Sequence, residues 1–229
     1  YCGDSPEHVK TNLESLAALL PERPRVIVVP RQTHTTNVRV ITDVPTSEEL
    51  QDVDAVVTHL KDFCLCVSTA DCVPVLLYDK EKQVIAAIHA GWRGTVGHIV
   101  EKTIEVMKSQ YGSEGKDMVA CIGPSISLES FEVGDEVYAA FEEAGFDMSC
   151  IARKYAKWHL DLWEANRIQL LAHGILPEHI EVAGICTYQH PDDFFSARRL
   201  GIKSGRILSG IVMNETENRS ICDWKVVAE

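Results

Sequence analysis

The alternation of apolar and polar positions centres on one stretch, Thr69 to Thr95, which predicts two buried strands joined by a charged turn. Val73 to Tyr78 and Val84 to Ala90 carry apolar residues on both alternating faces, as in strands covered on both sides. Asp79 to Lys82 make the polar loop between them. Antiparallel pairing about Lys80-Glu81 sets Tyr78 opposite Gln83 and Leu77 opposite Val84. The same count sets Cys72 opposite His89, with Cβ atoms roughly 4.5–5.5 Å apart.

Around this pair the pattern continues in both directions. Val9, Leu13, Leu16 and Leu20 recur at helical spacing and predict a helix over Pro6–Leu20, ended by Pro21 and Pro24. Short β-branched or apolar runs predict strands at Arg25–Val29, Val38–Ile41, Asp52–Thr58 and Phe63–Ser68. Val96, Ile99, Val100, Ile104 and Met107 form the inner face of a helix capped by Thr95 and followed by Gly112. Met118–Ile122 reads as a strand, Asp135–Ala144 as a helix, and Asp161 as the cap of a helix ending at Gly174. Glu181–Ile185 and Arg206–Met213 read as strands, Thr187–Gly205 as a polar loop, and Trp224–Val227 as a last strand. The expectation is a single mixed α/β domain over 1–229, with helices packed outside sheets.

Composition adds exclusions. Hydrophobic residues make up 45% and charged residues 24%, an ordinary globular balance. The net charge of −12 and the lack of a basic block argue against nucleic-acid or anionic-membrane partners. No apolar run approaches the roughly 20 residues of a membrane helix. The eight cysteines include no Cys-x-x-Cys pair and sit mostly in apolar runs, so reduced thiols and a cytoplasmic location are expected. The chain opens Tyr1-Cys2-Gly3-Asp4 without Met, and residues upstream are expected.

A thiol and an imidazole as close as Cys72 and His89 can share a metal, act as nucleophile and base, or be buried structural groups. His34, in the polar gap Gln32-Thr33-His34-Thr35-Thr36, is a third candidate ligand. Two nitrogens, one thiolate and a water make the pattern of a catalytic zinc, and the donor set also suits copper. Asp71 beside Cys72 and Arg93 between Trp92 and Gly94 are the nearest charged groups. Arg198, Arg199 and Arg206 near Phe194-Phe195-Ser196 form either an anion site or a solvated loop paired with Asp192 and Asp193. Gly123-Pro124-Ser125 after a strand could offer backbone N–H groups to an anion. Trp92, Phe131, Tyr188 and Phe195 are candidates for stacking on a flat base as well as for plain core.

These motifs together carry a resemblance. Thr69-Ala70-Asp71-Cys72-Val73-Pro74-Val75 and His89-Ala90-Gly91-Trp92-Arg93-Gly94 are its most specific pieces. Gln32-Thr33-His34, Asp54-Ala55-Val56-Val57-Thr58, Ile122-Gly123-Pro124-Ser125, Phe131-Glu132-Val133-Gly134, Leu160-Asp161-Leu162, Cys186-Thr187 and Phe195-Ser196-Ala197-Arg198-Arg199 extend it nearly end to end. The chain resembles the bacterial multicopper polyphenol oxidase, or laccase-domain, family, also described as purine nucleoside phosphorylases of the peptidoglycan-editing-factor type.

The resemblance implies a layered α-β-β-α sandwich akin to toxin-type cysteine hydrolases, and a metal, usually zinc, on His34, Cys72 and His89. It implies phosphorolysis of adenosine, inosine, guanosine and methylthioadenosine, with adenosine deamination as a second activity. On that basis Asp71 would shuttle protons, and Arg93, Arg198 or Arg199 would hold phosphate. Trp92 or Phe195 would stack on the base, with Ser196 beside them among the substrate-binding residues. The family pattern starts earlier, with an Arg and a Gly-Gly-Val-Ser-like turn expected upstream of Tyr1. A laccase proper needs several coppers, whereas the nine histidines include no His-x-His pair. Slow copper-dependent oxidation at the single site, a metal-free cysteine hydrolase using Cys72 and His89, and a structural zinc completed by His159 or His190 remain the alternatives.

Overall fold

The structure, a computed structural model, describes residues 4–213 together with Val227 and Ala228. Helix α1 (Pro6–Leu19) starts where the Ser5 hydroxyl accepts the His8 amide at 3.2 Å, with Pro6 in the first turn. Strands β1 (Val26–Val28), β2 (Val38–Ile41), β3 (Ala55–Thr58), β4 (Phe63–Thr69), β5 (Val73–Asp79) and β6 (Val84–Ala90) follow. Helices α2 (Trp92–Val96) and α3 (Ile99–Tyr111) lead to β7 (Met118–Ile122), β8 (Glu132–Val133), α4 (Asp135–Glu143) and α5 (Met148–Ile151). The chain continues through β9 (Ala152–Lys154), β10 (Trp158–Leu160), α6 (Leu162–Ala172), β11 (Ile180–Val182), α7 (Ala197–Leu200), β12 (Ile207–Val212) and β13 (Val227–Ala228).

Two sheets carry the architecture. One runs β11-β7-β5-β6-β3-β2, the other β1-β4-β12-β13; a third, small sheet is ordered β8-β10-β9. Val56, Leu65, Val67, Leu76, Ile85 and Ala87 form the core between the two main sheets. Helices α3 and α6 cover the far face of the larger sheet through Ile99, Ile104, Met107, Ala165 and Leu170. Leu16 of α1 packs on Cys64, Cys66 and Leu208 of the smaller sheet. The layers are therefore α-β-β-α, as expected. Strands β5 and β6 lie in the middle, which is why apolar residues occupy both of their faces.

Several local expectations are corrected. The turn between β5 and β6 spans Lys80 to Gln83, so Asp79 pairs with Val84 and Pro74, rather than Cys72, lies opposite His89. The Asp79 carboxylate accepts the amides of Glu81 and Lys82, both at 2.9 Å, and Gln83 turns back with φ 53°. This longer loop shifts the pairing by two positions, which preserves the face. Cys72, just before β5, is thus a diagonal neighbour of His89 on the same side.

The helix expected after Thr95 is broken into two. Thr95 lies inside α2, its hydroxyl directed to the Ala90 carbonyl at 3.4 Å. Gly97 and the left-handed His98 then interrupt the helix. A side chain at Gly97 would meet Thr36 Cγ2 at 2.5 Å, so the close approach of the His34 loop explains the glycine. The loop Thr187–Gly205 holds α7, and α5, β9 and β10 escape the sequence pattern because they are too short to show a period. In the predicted last strand, Trp224, Lys225 and Val226 lie outside the described residues. The six described cysteines form no disulfide, and no helix among the described residues is long and apolar enough to cross a membrane.

Candidate metal centre and active site

His34, Cys72 and His89 converge from three separate parts of the chain. Their ligand atoms all lie within 4.8 Å of one another. Cys72 Sγ is 3.8 Å from His34 Nε2, and the two imidazole rings meet edge to face with centroids 4.9 Å apart. His34 is exposed, Cys72 half-buried and His89 buried, so the group opens towards solvent on the His34 side.

Each ligand is held by its neighbours. His89 sits near the end of β6, and its Nδ1 meets Asp54 Oδ1 at 2.8 Å. Fully buried Asp54 also accepts the amides of His34 and Thr35 at 3.0 and 2.8 Å and the Thr35 hydroxyl at 2.7 Å. One carboxylate thereby orients the inner imidazole and fixes the loop that bears the outer one. Gln32 ties the same loop to the other sheet, donating to the Ser68 carbonyl and accepting the Ser68 amide, both at 2.7 Å. His34 and Asp71 adopt left-handed backbone, φ 64° and 81°, a strain that the surrounding bonds must hold in place.

Electrostatics prepare the donors. Burial alone would raise the Asp54 carboxyl, but the bonds from His89 and Thr35 hold it at about 2. Burial likewise opposes a Cys72 thiolate, yet the charge on His89 and the bond to His34 bring the thiol down to about 6. His89 is pushed down by burial and up by Cys72 and Asp54, and settles at about 9. Both shifts favour a thiolate beside an imidazolium.

The donors fit a soft or borderline divalent ion. A thiolate and two imidazoles suit zinc or copper, and Asp54 is the carboxylate partner that a metal-binding His usually has. Gly91 completes the cradle. A Cβ there would lie 3.0 Å from His34 Cδ2 and 3.1 Å from Cys72 Sγ, filling the space between the ligands. No fourth protein ligand joins the three among the described residues. His159 Nδ1 instead meets the Leu128 carbonyl and His190 Nδ1 the Cys186 carbonyl, each at 2.9 Å.

Asp71, next to Cys72, faces a different set of groups. Its carboxylate accepts the Thr187 hydroxyl at 2.7 Å, the Ser196 hydroxyl at 3.0 Å and the Arg198 amide at 2.7 Å. Ser196 is buried and caps α7, accepting the Arg199 amide at 3.2 Å. Half-buried Phe195 adjoins it. The loop bearing Tyr188, Phe195, Arg198 and Arg199 is therefore fastened to the residue beside Cys72.

Arg198 lies over Phe131 and donates to the Glu132 carbonyl at 2.9 Å; Arg199 lies over Tyr188 and donates to its carbonyl at 3.1 Å. Exposed Arg93 stacks on Trp92, 4.3 Å from the ring centroid. All three guanidinium groups rest on aromatic faces, and Arg198 and Arg199 bond carbonyls rather than Asp192 or Asp193. Arg206 is turned into its own loop, donating to the carbonyls of Ile202 and Gly205. Gly123-Pro124-Ser125 offers no anion site: the Gly123 amide goes to the Pro74 carbonyl and the Ser125 amide to the Ile185 carbonyl.

Sequence reasoning does not single out Asp54, which holds His89 and the His34 loop, or Thr187, which donates to Asp71. The available signal is an acidic side chain opening a wholly buried strand, which requires a partner inside.

A family model described as multi-copper polyphenol oxidoreductase laccase matches residues 1–214. A purine nucleoside phosphorylase of Bacteroides thetaiotaomicron is 54% identical over 225 residues, covering 94% of this chain and 83% of the relative. An adenosine deaminase, RL5, from an unknown prokaryotic organism is 42% identical over 221 residues, covering 92% and 84%. The crystal structure of the Bacillus licheniformis hypothetical protein YfiH superposes with TM-score 0.87 at 29% identity, covering 93% and 84%. With a match over almost all its length and relatives this similar, the chain belongs to the family described as multi-copper polyphenol oxidoreductase laccase.

Proposed function

We propose that this chain is a zinc-dependent purine nucleoside phosphorylase acting in the cytoplasm on adenosine, inosine, guanosine or methylthioadenosine, with adenosine deamination as a second activity of the same centre. The observation that carries the reading is the three-donor group His34, Cys72 and His89, exposed at His34, with the stacked Trp92 and Arg93 following the Gly91 that packs on two of the donors. The names of the two relatives supply the substrate class.

In this reading His34, Cys72 and His89 hold the metal, which when bound supplies Lewis-acid chemistry. Asp54 keeps His89 in one tautomer and the His34 loop in place. Arg93, Arg198 and Arg199 bind phosphate, whose oxygen attacks the ribose carbon as the bond to the purine nitrogen breaks. The departing purine takes up a proton. Trp92 and Phe195 flank the base. The family pattern suggests a proton shuttle at Asp71 and a substrate contact at Ser196. Both are committed to hydrogen bonds that organise the loop, so we assign them positioning parts.

The test is phosphate-dependent release of adenine from adenosine, and of hypoxanthine from inosine, by wild type and Cys72→Ala. Wild type is expected to require phosphate and Cys72→Ala to be inactive; equal rates dismiss the reading. A second reading draws on the thiolate–imidazolium pair, which is also the ground state of a cysteine hydrolase. Elemental analysis separates the two, since stoichiometric zinc on the active enzyme leaves no free thiolate to act as nucleophile. The single three-donor group among the described residues also gives less support to a multi-copper oxidase, which assembles several coppers, than to a one-ion enzyme.

A further inference from the structure

Cys64 and Cys66 lie two residues apart on β4, both buried, with sulfurs 3.6 Å apart. They face α1, on the side of the sheet away from the metal ligands' core, and Leu16, Leu208 and Ile27 surround them. Gly210 of β12 stands opposite Cys66 in the sheet. A Cβ at Gly210 would lie 2.7 Å from Cys66 Sγ and 3.3 Å from Cys64 Sγ, so both sulfurs lean into the space that a side chain there would need. Gly210 is itself exposed. A groove of about 410 Å³ between α1 and β1, lined by Val9, Leu13 and Ile27 among others, shares Leu13 and Ile27 with the wall around the thiols.

The geometry disfavours a disulfide and suits a one-atom bridge. Two residues of strand advance about 6.6 Å, whereas a disulfide holds its Cβ atoms about 3.8 Å apart. An atom bonded to both sulfurs at about 2.3 Å, a usual thiolate–metal length, would subtend an angle of about 100° at this separation. That angle is far from the straight line preferred by two-coordinate soft ions and matches a pyramidal trivalent centre. No third protein ligand is grouped with the pair among the described residues, so the bridging atom must bring its own remaining substituent.

We propose that Cys64 and Cys66 form a dithiol capture site for monosubstituted trivalent arsenicals, with the arsenic bridging the two sulfurs and its organic group directed to the groove beside α1. Capture breaks two S–H bonds and the arsenic–oxygen bond of an arsine oxide and forms two As–S bonds. The two protons leave with the oxygen as water, and arsenic stays trivalent, so no oxidant or reductant is needed.

Phenylarsine oxide is the probe, added to the full chain before thiol alkylation, with mass spectrometry of the intact protein and of its peptides. The expected result is one phenylarsenic group per chain and protection of Cys64 and Cys66 together. A dithiol should reverse it and an excess of monothiol should not. Cys72→Ala and Cys150→Ala should retain capture. Cys64→Ala and Cys66→Ala should lose it, as should Gly210→Ala, which keeps both thiols but pushes their sulfurs out of position. No adduct on the folded wild type, protection of a single thiol, or protection that maps to Cys72 or any other cysteine would overturn the proposal. The peptide map separates these outcomes on wild type alone, even where a variant folds poorly.

Discussion

At the scale of single residues, the centre depends on groups that touch the ligands without being ligands. Gly91 is the sharpest case, because a methyl there would stand 3.1 Å from Cys72 Sγ and 3.0 Å from His34 Cδ2. Gly91→Ala is expected to weaken zinc binding by about tenfold or more, of the order seen when groups around metal ligands are altered. Competition with a chromogenic chelator measures this, and an unchanged affinity would mean that the ligands leave room for the methyl. Protonation gives a second expectation. With Cys72 near 6 and His89 near 9, the metal-free pair at pH 7.5 is already a thiolate but still an imidazolium. Zinc needs the neutral ring, so binding at pH 7.5 should release about one proton, drawn from His89 rather than Cys72. The release should fade as pH rises through about 9 and grow as pH falls below about 6, where the Cys72 thiol must also be deprotonated. Calorimetry in buffers of different ionisation enthalpy reads the number directly. The convergence of His34, Cys72 and His89 was legible in the sequence, since a histidine in a polar gap and a Cys and a His near the ends of adjoining strands are unusual. Asp54 was not, because its meaning lies in contacts with residues 19 to 35 positions away that no local pattern encodes.

At the scale of elements, what matters is how loops are tied to strands. The site survives an error in the predicted register because a two-position shift keeps every side chain on its face. A one-position shift would have sent His89 to the opposite layer. The turn length was the illegible part: Asp79 caps the loop from inside β5, and Gln83 takes a left-handed conformation that a glutamine does not advertise. The same logic makes Asp71 the tie between Cys72 and the loop carrying Arg198 and Arg199. Asp71→Ala removes three hydrogen bonds at once while leaving every metal donor in place. If phosphate is bound from that loop, the KM for phosphate should rise about tenfold or more while kcat falls less and zinc content stays stoichiometric. Loss of zinc with kcat falling alone would instead make Asp71 a support for Cys72. Breaks such as Gly97–His98, and short pieces such as α7, escape periodicity because tertiary contacts rather than an apolar stripe define them.

At the scale of the whole molecule, strands buried on both faces made a mixed α/β domain with covered sheets readable, whereas the α-β-β-α layering followed from the family resemblance. The order of strands was not readable, since β12 reaches β4 from the far end of the chain and nothing local announces that pairing. This architecture also predicts what metal removal does. The three ligands sit on an already complete scaffold: β5 and β6 are central strands, Asp54 fastens the His34 loop, and Gln32 ties that loop to the second sheet. None of these contacts includes the ion. A chelator should therefore abolish activity yet leave the far-ultraviolet circular dichroism and the cooperative melt intact. Zinc at a hundred times its dissociation constant should stabilise the folded state by about 2.7 kcal/mol through mass action alone. For a chain of this size that corresponds to a rise in Tm of roughly 5–10 °C. Loss of secondary structure on chelation would contradict the scaffold argument and turn the centre into a structural bolt. A melt unmoved by saturating zinc would contradict the metal centre itself.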